Sequence, residues 1–380
     1  MSSSSLRIAL VDPSAFTPPY DHALCAALAR AGADVELVTS RFAYGAVPRG
    51  QGYAVTESFY RIAPGAAGSR LRMAAKLAQH VPDMLRLRRH LRTARSDVAH
   101  FQWLTVQPLD VHLLPRTLPV VLTAHDVLPR EPRPGQLDAQ RRLYERVDAV
   151  VVHSEHGAAR LRGELGVDPA KVHVIPHGAL DQLVPAGGPS AAPPRSLPPE
   201  LAAVPREKPV VLCFGLLRPY KGVDVLLEAW RGIDDAELWV VGLPKMDVAP
   251  LHALAPPNVR FVSRFVADDE IAAFFDRADL VVLPYREIDQ SGVLFTALAF
   301  GKPLLLSSVG GFPEVAATGA AALVPPADAP ALHTALRDLL ADPAARARLA
   351  AAAREAAAGP YSWDGIAQQT LALYRLLAGR

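Results

Sequence analysis

Apolar and polar positions along the 380-residue chain follow two alternating rhythms. Short runs rich in Val, Leu and Ile recur at Arg7–Val11, Val35–Thr39, Val98–Phe101, Val120–Thr123, Ala149–His153 and Val172–Ile175. Their apolar stretches are continuous instead of falling on every second residue, which is the form of parallel strands covered on both faces. Between them Asp21–Ala31, Leu71–Ala94, Asp138–Arg146 and Glu155–Leu165 carry helical spacing. The second half repeats the pattern, with strands expected at Val210–Phe214, Leu238–Val241, Arg260–Val262, Leu280–Leu283, Leu304–Ser307 and Ala322–Val324. Strand–helix alternation of this kind predicts an α/β protein built as two Rossmann-like, doubly wound domains.

Between the halves, Asp181–Pro209 holds prolines at 185, 189, 193, 194, 198, 199, 205 and 209. So many missing amides exclude a ladder or a helix interior, and predict a linker over 181–209. The expected domains are 1–180 and 210–358, facing each other across a cleft. In such sheets ligands gather at the carboxyl ends of the strands. After an Ala-rich helical stretch to Ala358, Gly359-Pro360 makes a break and Ser362 is placed to cap a last helix from Trp363 to about Leu377. Ile366, Leu371, Tyr374 and Leu377 form one stripe on it, so the 359–380 segment is expected to cross back and pack on the N-terminal domain.

Composition narrows the class. The chain is 50% hydrophobic and 21% charged, a globular balance that excludes a disordered tail, a collagen-like repeat or a small disulfide scaffold. Cys25 and Cys213 lie far apart in apolar runs and read as buried free thiols of a reducing compartment. No apolar leader or window of about 20 apolar residues is visible, so a cytoplasmic location is expected.

The net charge of +2 hides an asymmetry: residues 1–180 carry 22 basic and 16 acidic side chains (+6), the remainder 18 and 22 (−4). Arg70, Arg72, Lys76, Arg86, Arg88, Arg89, Arg92 and Arg95 crowd one segment against the single acid Asp83. The basicity is local, which is not the composition of a nucleic-acid binder. Pro82 is expected to divide residues 70–95 into two helical pieces, the second with Met84, Leu87, Leu91 and Ala94 in a stripe. Two readings stand side by side: a basic amphipathic helix on an anionic membrane, or a solvated helix whose Arg stems cover apolar surface.

Three segments carry chemistry. Phe214-Gly215-Leu216-Leu217-Arg218-Pro219-Tyr220-Lys221-Gly222 joins a strand to a helix, with glycines for tight turns and two cations at the helix entrance. A helix N-terminus already favours an anion, and two added cations make a diphosphate site. Leu280 to Pro303 is a strand, a polar loop and an apolar helix; Ser291 is expected to cap that helix, with Gly292 and Val293 offering backbone amides. Val120 to Asp126 is a strand delivering His125 to its carboxyl end. His22, His153 and His177 have no short paired spacing with a second ligand, so no metal site is expected.

With these segments in hand, the sequence resembles the retaining GT-B glycosyltransferases of family four over nearly its whole length. The motifs occur in order: Thr-Ala-His-Asp at 123–126, Ile-Pro-His-Gly at 175–178, and Phe-Gly-x-x-Arg-x-x-Lys-Gly at 214–222. Gly301-Lys302-Pro303, Gly310-Gly311-Phe312-Pro313-Glu314 and Tyr361-Ser362-Trp363-Asp364 complete them. The resemblance implies sugar transfer from a nucleoside-diphosphate sugar to an acceptor hydroxyl with retained configuration, needing no metal and no further cofactor. It implies that Arg218 and Lys221 bind the donor diphosphate and that His125 lies beside the transferred sugar. Gly215, Gln290, Ser291, Gly292 and Val293 complete the donor site.

Two departures accompany it. The family's paired glutamates fall here on Ile288 and Thr296, leaving Glu287 or Asp289 to supply a sugar-binding carboxylate and Thr296 a weaker ribose contact. The usual glycine-rich loop after the first strand is a stiffer Asp12–His22 segment, with Tyr20, Asp21 and His22 expected on the acceptor side. The acceptor itself is left open between a small molecule, a glycan and a lipid-linked group. The alternatives are a nucleotide-sugar epimerase of the same plan and a nucleotide-sugar-binding subunit without catalysis.

Overall fold

Every apolar run described above becomes a strand, most of them covered on both faces, though Arg260 and Leu323 stay exposed on theirs. The fold was obtained as a computed structural model, which describes residues 5–43, 47, 50–64, 69–104, 106–129, 134–185, 197–199, 201, 204–205 and 207–380. The first elements are β1 (Arg7–Asp12), α1 (Pro18–Arg30), β2 (Asp34–Ser40), β3 (Ala54–Phe59), α2 (Arg70–Ala94) and β4 (Val98–Phe101). Then come α3 (Gln107–Leu113), β5 (Val120–Thr123), α4 (Gln136–Arg146), β6 (Ala149–Val152), α5 (Glu155–Glu164) and β7 (Val172–Val174). The chain continues with β8 (Val210–Phe214), α6 (Val223–Ala229), β9 (Glu237–Val241), α7 (Ala249–Leu254), β10 (Val259–Val262) and α8 (Asp268–Arg277). It proceeds through β11 (Leu280–Leu283), α9 (Gly292–Ala299), β12 (Leu304–Ser307), α10 (Phe312–Ala316) and β13 (Ala321–Val324). It closes on α11 (Ala329–Ala341), α12 (Pro343–Ala358) and α13 (Trp363–Ala378).

Two compact units result. Met1–Gly178 together with Trp363–Arg380 forms unit 1, and Ala179–Ser362 forms unit 2. The described part of the proline-rich segment, including a short 3-10 turn at Asp181–Leu183, belongs to unit 2; residues 186–196 lie outside the described residues. Unit 1 carries a seven-stranded sheet in the order β3-β2-β1-β4-β5-β6-β7, and unit 2 a six-stranded sheet in the order β10-β9-β8-β11-β12-β13. All the pairings are parallel. In both, the strand order reverses beside the first strand, between β1 and β4 and between β8 and β11. That reversal opens a crevice at the carboxyl ends of the flanking strands.

The core of unit 1 gathers Val11, Phe101, Leu122 and Val150 from the sheet with Met84, Leu87 and Leu91 from α2. Unit 2 buries Val211, Leu238, Val282 and Leu305 against Leu226, Trp230 and Leu336. The terminal helix α13 belongs to unit 1: Tyr374 and Ile366 are fully buried there, and Arg30 Nη2 lies 2.7 Å from Asp364 Oδ1. Gly178 meets its start so closely that a Cβ would sit 2.3 Å from the Trp363 ring. Any side chain at Gly178 forces the two segments apart.

The expected break at Pro82 is absent, for α2 runs unbroken through it. Proline removes one helical hydrogen bond and costs about 3 kcal/mol in a helix interior. Here the ring is exposed, and both flanks are tied down. His80 binds Tyr60 Oη at 2.7 Å and Asp110 at 2.6 Å, and Asp83 accepts from Tyr60 N–H at 2.8 Å. Tertiary bonds hold the helix across the gap. Two elements carry no clear sequence signal: β3, a polar edge strand exposed along most of its length, and the single two-turn helix α3 with Pro108 at its start.

Candidate functional site

Unit 2 places its cations at the carboxyl end of β8. The chain leaves the strand through Gly215 (φ +115°) and turns at Pro219–Lys221 into α6, with Gly222 in the left-handed region (φ +66°). A Cβ on Gly222 would lie 2.0 Å from the Pro284 carbonyl oxygen, so only glycine lets this loop press against the end of β11. Lys221 is buried, its Nζ 3.8 Å from the Tyr285 ring centroid and 5.4 Å from that of Tyr220. Tyr285 Oη lies 3.3 Å from Ser291 Oγ, at the start of α9. One aromatic ring therefore joins the ammonium to the head of the neighbouring helix. Arg218 is exposed, and its side chain has no hydrogen-bond or ion-pair partner among the described residues. The acid nearest in sequence, Asp224, is taken by a two-pronged bond from Arg286 at 2.8 and 2.6 Å, which holds its carboxyl below the usual range.

The head of α9 complements these charges. Its first turn has no acidic residue, and a Cβ on Gly292 would meet nothing within 4 Å. A helix leaves the amides of its first turn without intrahelical partners, here those of Gly292 and Val293. Ser291 occupies the N-cap position, but its side chain makes no capping bond; its hydroxyl partner is Tyr285. The loop before it is pinned from behind, since a Cβ on Gly310 would sit 1.8 Å from the Ile288 carbonyl oxygen. At the two positions where the family carries glutamates, Ile288 is buried, and Thr296 donates its hydroxyl to the Gly292 carbonyl at 3.0 Å. Glu287 is exposed, Asp289 buried and Gln290 half-buried. Of the two acids, Glu287 is the one open to solvent.

Unit 1 offers a different surface at its own reversal. A cavity of about 360 Å³ opens beside His125, bounded by Phe16, Gln102, Trp103, Gln107, Asp126 and Gln140 among others. His125 is held in a relay: its Nδ1 lies 3.2 Å from His153 Nε2, whose own Nδ1 lies 3.0 Å from the Ile175 carbonyl. The carbonyl fixes the proton on His153 Nδ1, so His153 Nε2 accepts from His125 Nδ1–H. His125 Nε2 is then an acceptor, 3.1 Å from the amide of Gln102. Its partner must be the amide nitrogen, and the network assigns the Gln102 side chain that way round. Gln102 is fully buried, and one end of its amide has no partner among the described residues.

Burial and neighbouring imidazoles hold this group neutral. His125 is pushed well below its ordinary value, His153 down to about 4, and His177 and His100 down to about 3, in each case chiefly by desolvation. Trp103 stacks on His125 at 4.9 Å and Phe16 meets Trp103 edge-on at 5.4 Å. The loop bearing Phe16 is fixed by Asp12, whose carboxylate accepts from the amides of Ser14 at 3.1 Å and Phe16 at 2.6 Å. Burial raises both Asp12 and Asp21 above the usual carboxyl range; their mutual hydrogen bond pushes Asp21 further up and pulls Asp12 part of the way back. No group of three metal-ligating side chains converges among the described residues.

The sequence-nominated residues thus fall into two sets. Gly215, Arg218, Lys221, Ser291, Gly292 and Val293 come together, and a Cβ on Gly215 would touch Val293 Cγ2 at 3.0 Å. Tyr20, Asp21 and His22 lie buried on α1 and do not line the cavity beside His125. Tyr20 packs edge-on against His125 and Trp363, and His22 bonds Tyr53 Oη at 2.5 Å. The wall is supplied instead by Phe16, Gln102, Trp103, Gln107 and Gln140, which sequence reasoning missed. Gln102-Trp103 directly follows β4 at the strand reversal, and that position was the available signal.

Two doubly wound parallel sheets, one with cations at the end of its first strand and one with a neutral imidazole–amide cavity, define a two-domain α/β protein. Residues 208–342 match the family model for glycosyl transferases group 1, and residues 20–179 that for glycosyltransferase family 4. The chain belongs to this glycosyltransferase family. It is 30% identical over 381 residues to a D-inositol 3-phosphate glycosyltransferase of Xylanimonas cellulosilytica, with 92% of this chain and 89% of the relative covered. It is 28% identical over 253 residues to a GDP-mannose-dependent monoacylated alpha-(1-6)-phosphatidylinositol monomannoside mannosyltransferase of Corynebacterium glutamicum, with 61% and 63% covered. The fold matches that of a sucrose-phosphate synthase from Thermosynechococcus elongatus with a TM-score of 0.77 at 23% identity, covering 98% of this chain and 99% of the other.

Proposed function

We propose that the protein transfers a sugar from a nucleoside-diphosphate sugar to an acceptor hydroxyl, with retained anomeric configuration and without a metal ion. The observation that carries this reading is Lys221, buried against Tyr285 beside the partnerless Arg218. When the sugar–oxygen bond breaks, the electron pair stays on the diphosphate. Two cations and the head of α9 meet that charge where it develops, and such preorganised donors are worth ~3 kcal/mol each in the barrier. The acceptor hydroxyl forms the new bond on the face the diphosphate leaves, and its proton passes to a diphosphate oxygen. His125, held neutral, serves as a hydrogen-bonding neighbour of the sugar instead of a proton donor. The dependence of the Corynebacterium relative on GDP-mannose supports a nucleotide-sugar donor here as well.

Thermal melts with UDP-, GDP-, ADP- and TDP-sugars test the donor, because a bound ligand raises stability by RT ln(1 + [L]/Kd). One of these donors is expected to raise the melting temperature and to be consumed in the presence of a chelator. Lys221→Ala is expected to lose at least about a hundredfold in turnover while melting close to the parent chain. Near-parental turnover in that variant removes the diphosphate assignment.

We further propose a peripheral membrane contact through α2. No helix among the described residues is long and apolar enough to cross a bilayer. Yet Leu71, Met73, Leu77 and Leu85 are half or more exposed, as is Ile62 nearby, and exposed Arg86, Arg89, Arg92 and Arg95 follow along the same helix. Apolar side chains beside a cationic stretch suit an anionic bilayer, to which each base contributes about 1 kcal/mol. The expected result is co-sedimentation with phosphatidylglycerol vesicles and not with phosphatidylcholine vesicles at low salt; equal partition between the two sinks the proposal.

A further inference from the structure

Three successive residues past β11 hold four successive residues of the cation-bearing turn, the two stretches reading in opposite directions. A Cβ on Gly222 would meet the Pro284 carbonyl oxygen at 2.0 Å, so the two main chains lie in contact there. Lys221 Nζ sits 3.8 Å from the centroid of the Tyr285 ring. The Arg286 amide donates to the Tyr220 carbonyl at 2.8 Å, and Arg286 Nη1 donates to the Pro219 carbonyl at 2.9 Å. Behind this row, Ser307 on β12 donates its hydroxyl to the Tyr285 carbonyl. The turn is pressed onto a strand end that the sheet already fixes.

Left to its own bonds, the turn is weakly determined. It is a three-residue 3-10 segment, a geometry with poor hydrogen bonds, and Pro219 has no amide to give. Inside it, Lys221 N–H reaches the Arg218 carbonyl at 3.0 Å and Gly222 N–H the Pro219 carbonyl at 3.2 Å. Arg286 adds two bonds from outside. Its guanidinium is aimed by a fork on Asp224, with contacts of 2.8 and 2.6 Å. The side chains of Arg286 and Asp224 remain 37% and 44% exposed, and an ion pair so open to water contributes little stability by itself. What the fork does is fix the direction in which Arg286 reaches the turn.

We propose that Arg286 is a positioning residue for the diphosphate cations: oriented by Asp224, it clamps the Pro219–Lys221 turn so that Arg218 and Lys221 are in place before a nucleotide arrives. The proposal rests on the donor-site reading above for its use. A turn ordered in advance spares the ligand the cost of ordering it, and cations already in position need no rearrangement as charge develops.

The full chain is titrated with UDP, GDP, ADP and TDP alongside Arg286→Ala, Arg286→Lys, Asp224→Ala and the double variant Arg286→Ala/Asp224→Ala. Amide hydrogen exchange over residues 215–224 is followed in each without nucleotide. Arg286→Ala is expected to speed exchange there and to weaken the tightest-binding diphosphate roughly tenfold, melting close to the parent chain. Arg286→Lys should fall between the two, since an ammonium lacks the planar fork. Asp224→Ala should weaken binding less. Because Asp224 acts through Arg286, the double variant should bind no more weakly than Arg286→Ala alone. Should Arg286→Ala not fold, Arg286→Lys and Asp224→Ala carry the same comparison.

Unchanged affinity in Arg286→Ala, or losses that add in the double variant, overturn the clamp. Weaker affinity with unchanged exchange overturns it too, since Arg286 would then touch the nucleotide directly. A parent chain that binds none of the four, with exchange still faster in Arg286→Ala, removes the donor-site reading and leaves the clamp standing.

Discussion

The same topological event occurs in both units, and its chemistry is opposite. Each sheet reverses its strand order beside its first strand and opens a crevice there. Unit 2 fills that place with an ammonium, a guanidinium and a helix head free of acids. Unit 1 fills it with imidazoles kept neutral, amides and aromatic faces. Backbone topology thus decides where a ligand sits, while a handful of side chains decides its sign. On the function proposed above, a group that carries charge is received by unit 2.

The contrast breaks most sharply at Gly222. Alanine there must adopt φ +66° and bring its Cβ to 2.0 Å from the Pro284 carbonyl. A left-handed backbone costs a non-glycine residue about 1–2 kcal/mol, and the collision with main chain adds to it. Gly135, with φ +75° and nothing within 4 Å of a Cβ, provides the control in unit 1. Gly222→Ala should lower the melting temperature well beyond Gly135→Ala and abolish nucleotide binding. Equal melting and intact nucleotide binding in the two variants would mean that the β8–α6 loop does not depend on its close approach.

A smaller effect is read from acid. Unfolded imidazoles take up protons as the pH falls below 6.5, whereas His100, His153 and His177 stay neutral in the fold until about 3 to 4. Their contribution is complete above pH 6.5 and is lost progressively as the pH drops toward 4. The raised carboxyls of Asp12 and Asp21 work the other way, lending stability at low pH that fades as the pH rises above the ordinary carboxyl range. The difference between chains isolates the imidazoles: His100→Gln should flatten the fall in melting temperature between pH 6.5 and 4. An unchanged slope would show that His100 titrates in the fold as it does in water.

Much of the fold is legible in the sequence because buried parallel strands are written as uninterrupted apolar runs. β3 escapes notice for the same reason, since Val55-Thr56-Glu57-Ser58 lies on an edge and stays largely wet. Pro82 misleads because local propensity is outweighed by His80 and Asp83, whose partners lie 20 or more residues away. The cationic crevice is legible since its glycines and cations stand within one nine-residue stretch. The cavity in unit 1 is assembled from Phe16, Gln102, Gln107 and Gln140, each unremarkable in its own neighbourhood. Sequence order keeps them apart, and only the sheet brings them to one place.

The joining of Gly178 to Trp363 has a consequence for how the chain comes into being. Unit 2 is written in one piece, so a ribosome that has released Ser362 has already delivered all of it. Unit 1 is then still short of Trp363, Ile366, Leu371 and Tyr374, four of its buried side chains. The part of the molecule begun first is the last to be sealed, and until α13 emerges His100 lacks its phenol partner and the nascent protein shows an open flank of α1 to the cell's chaperones.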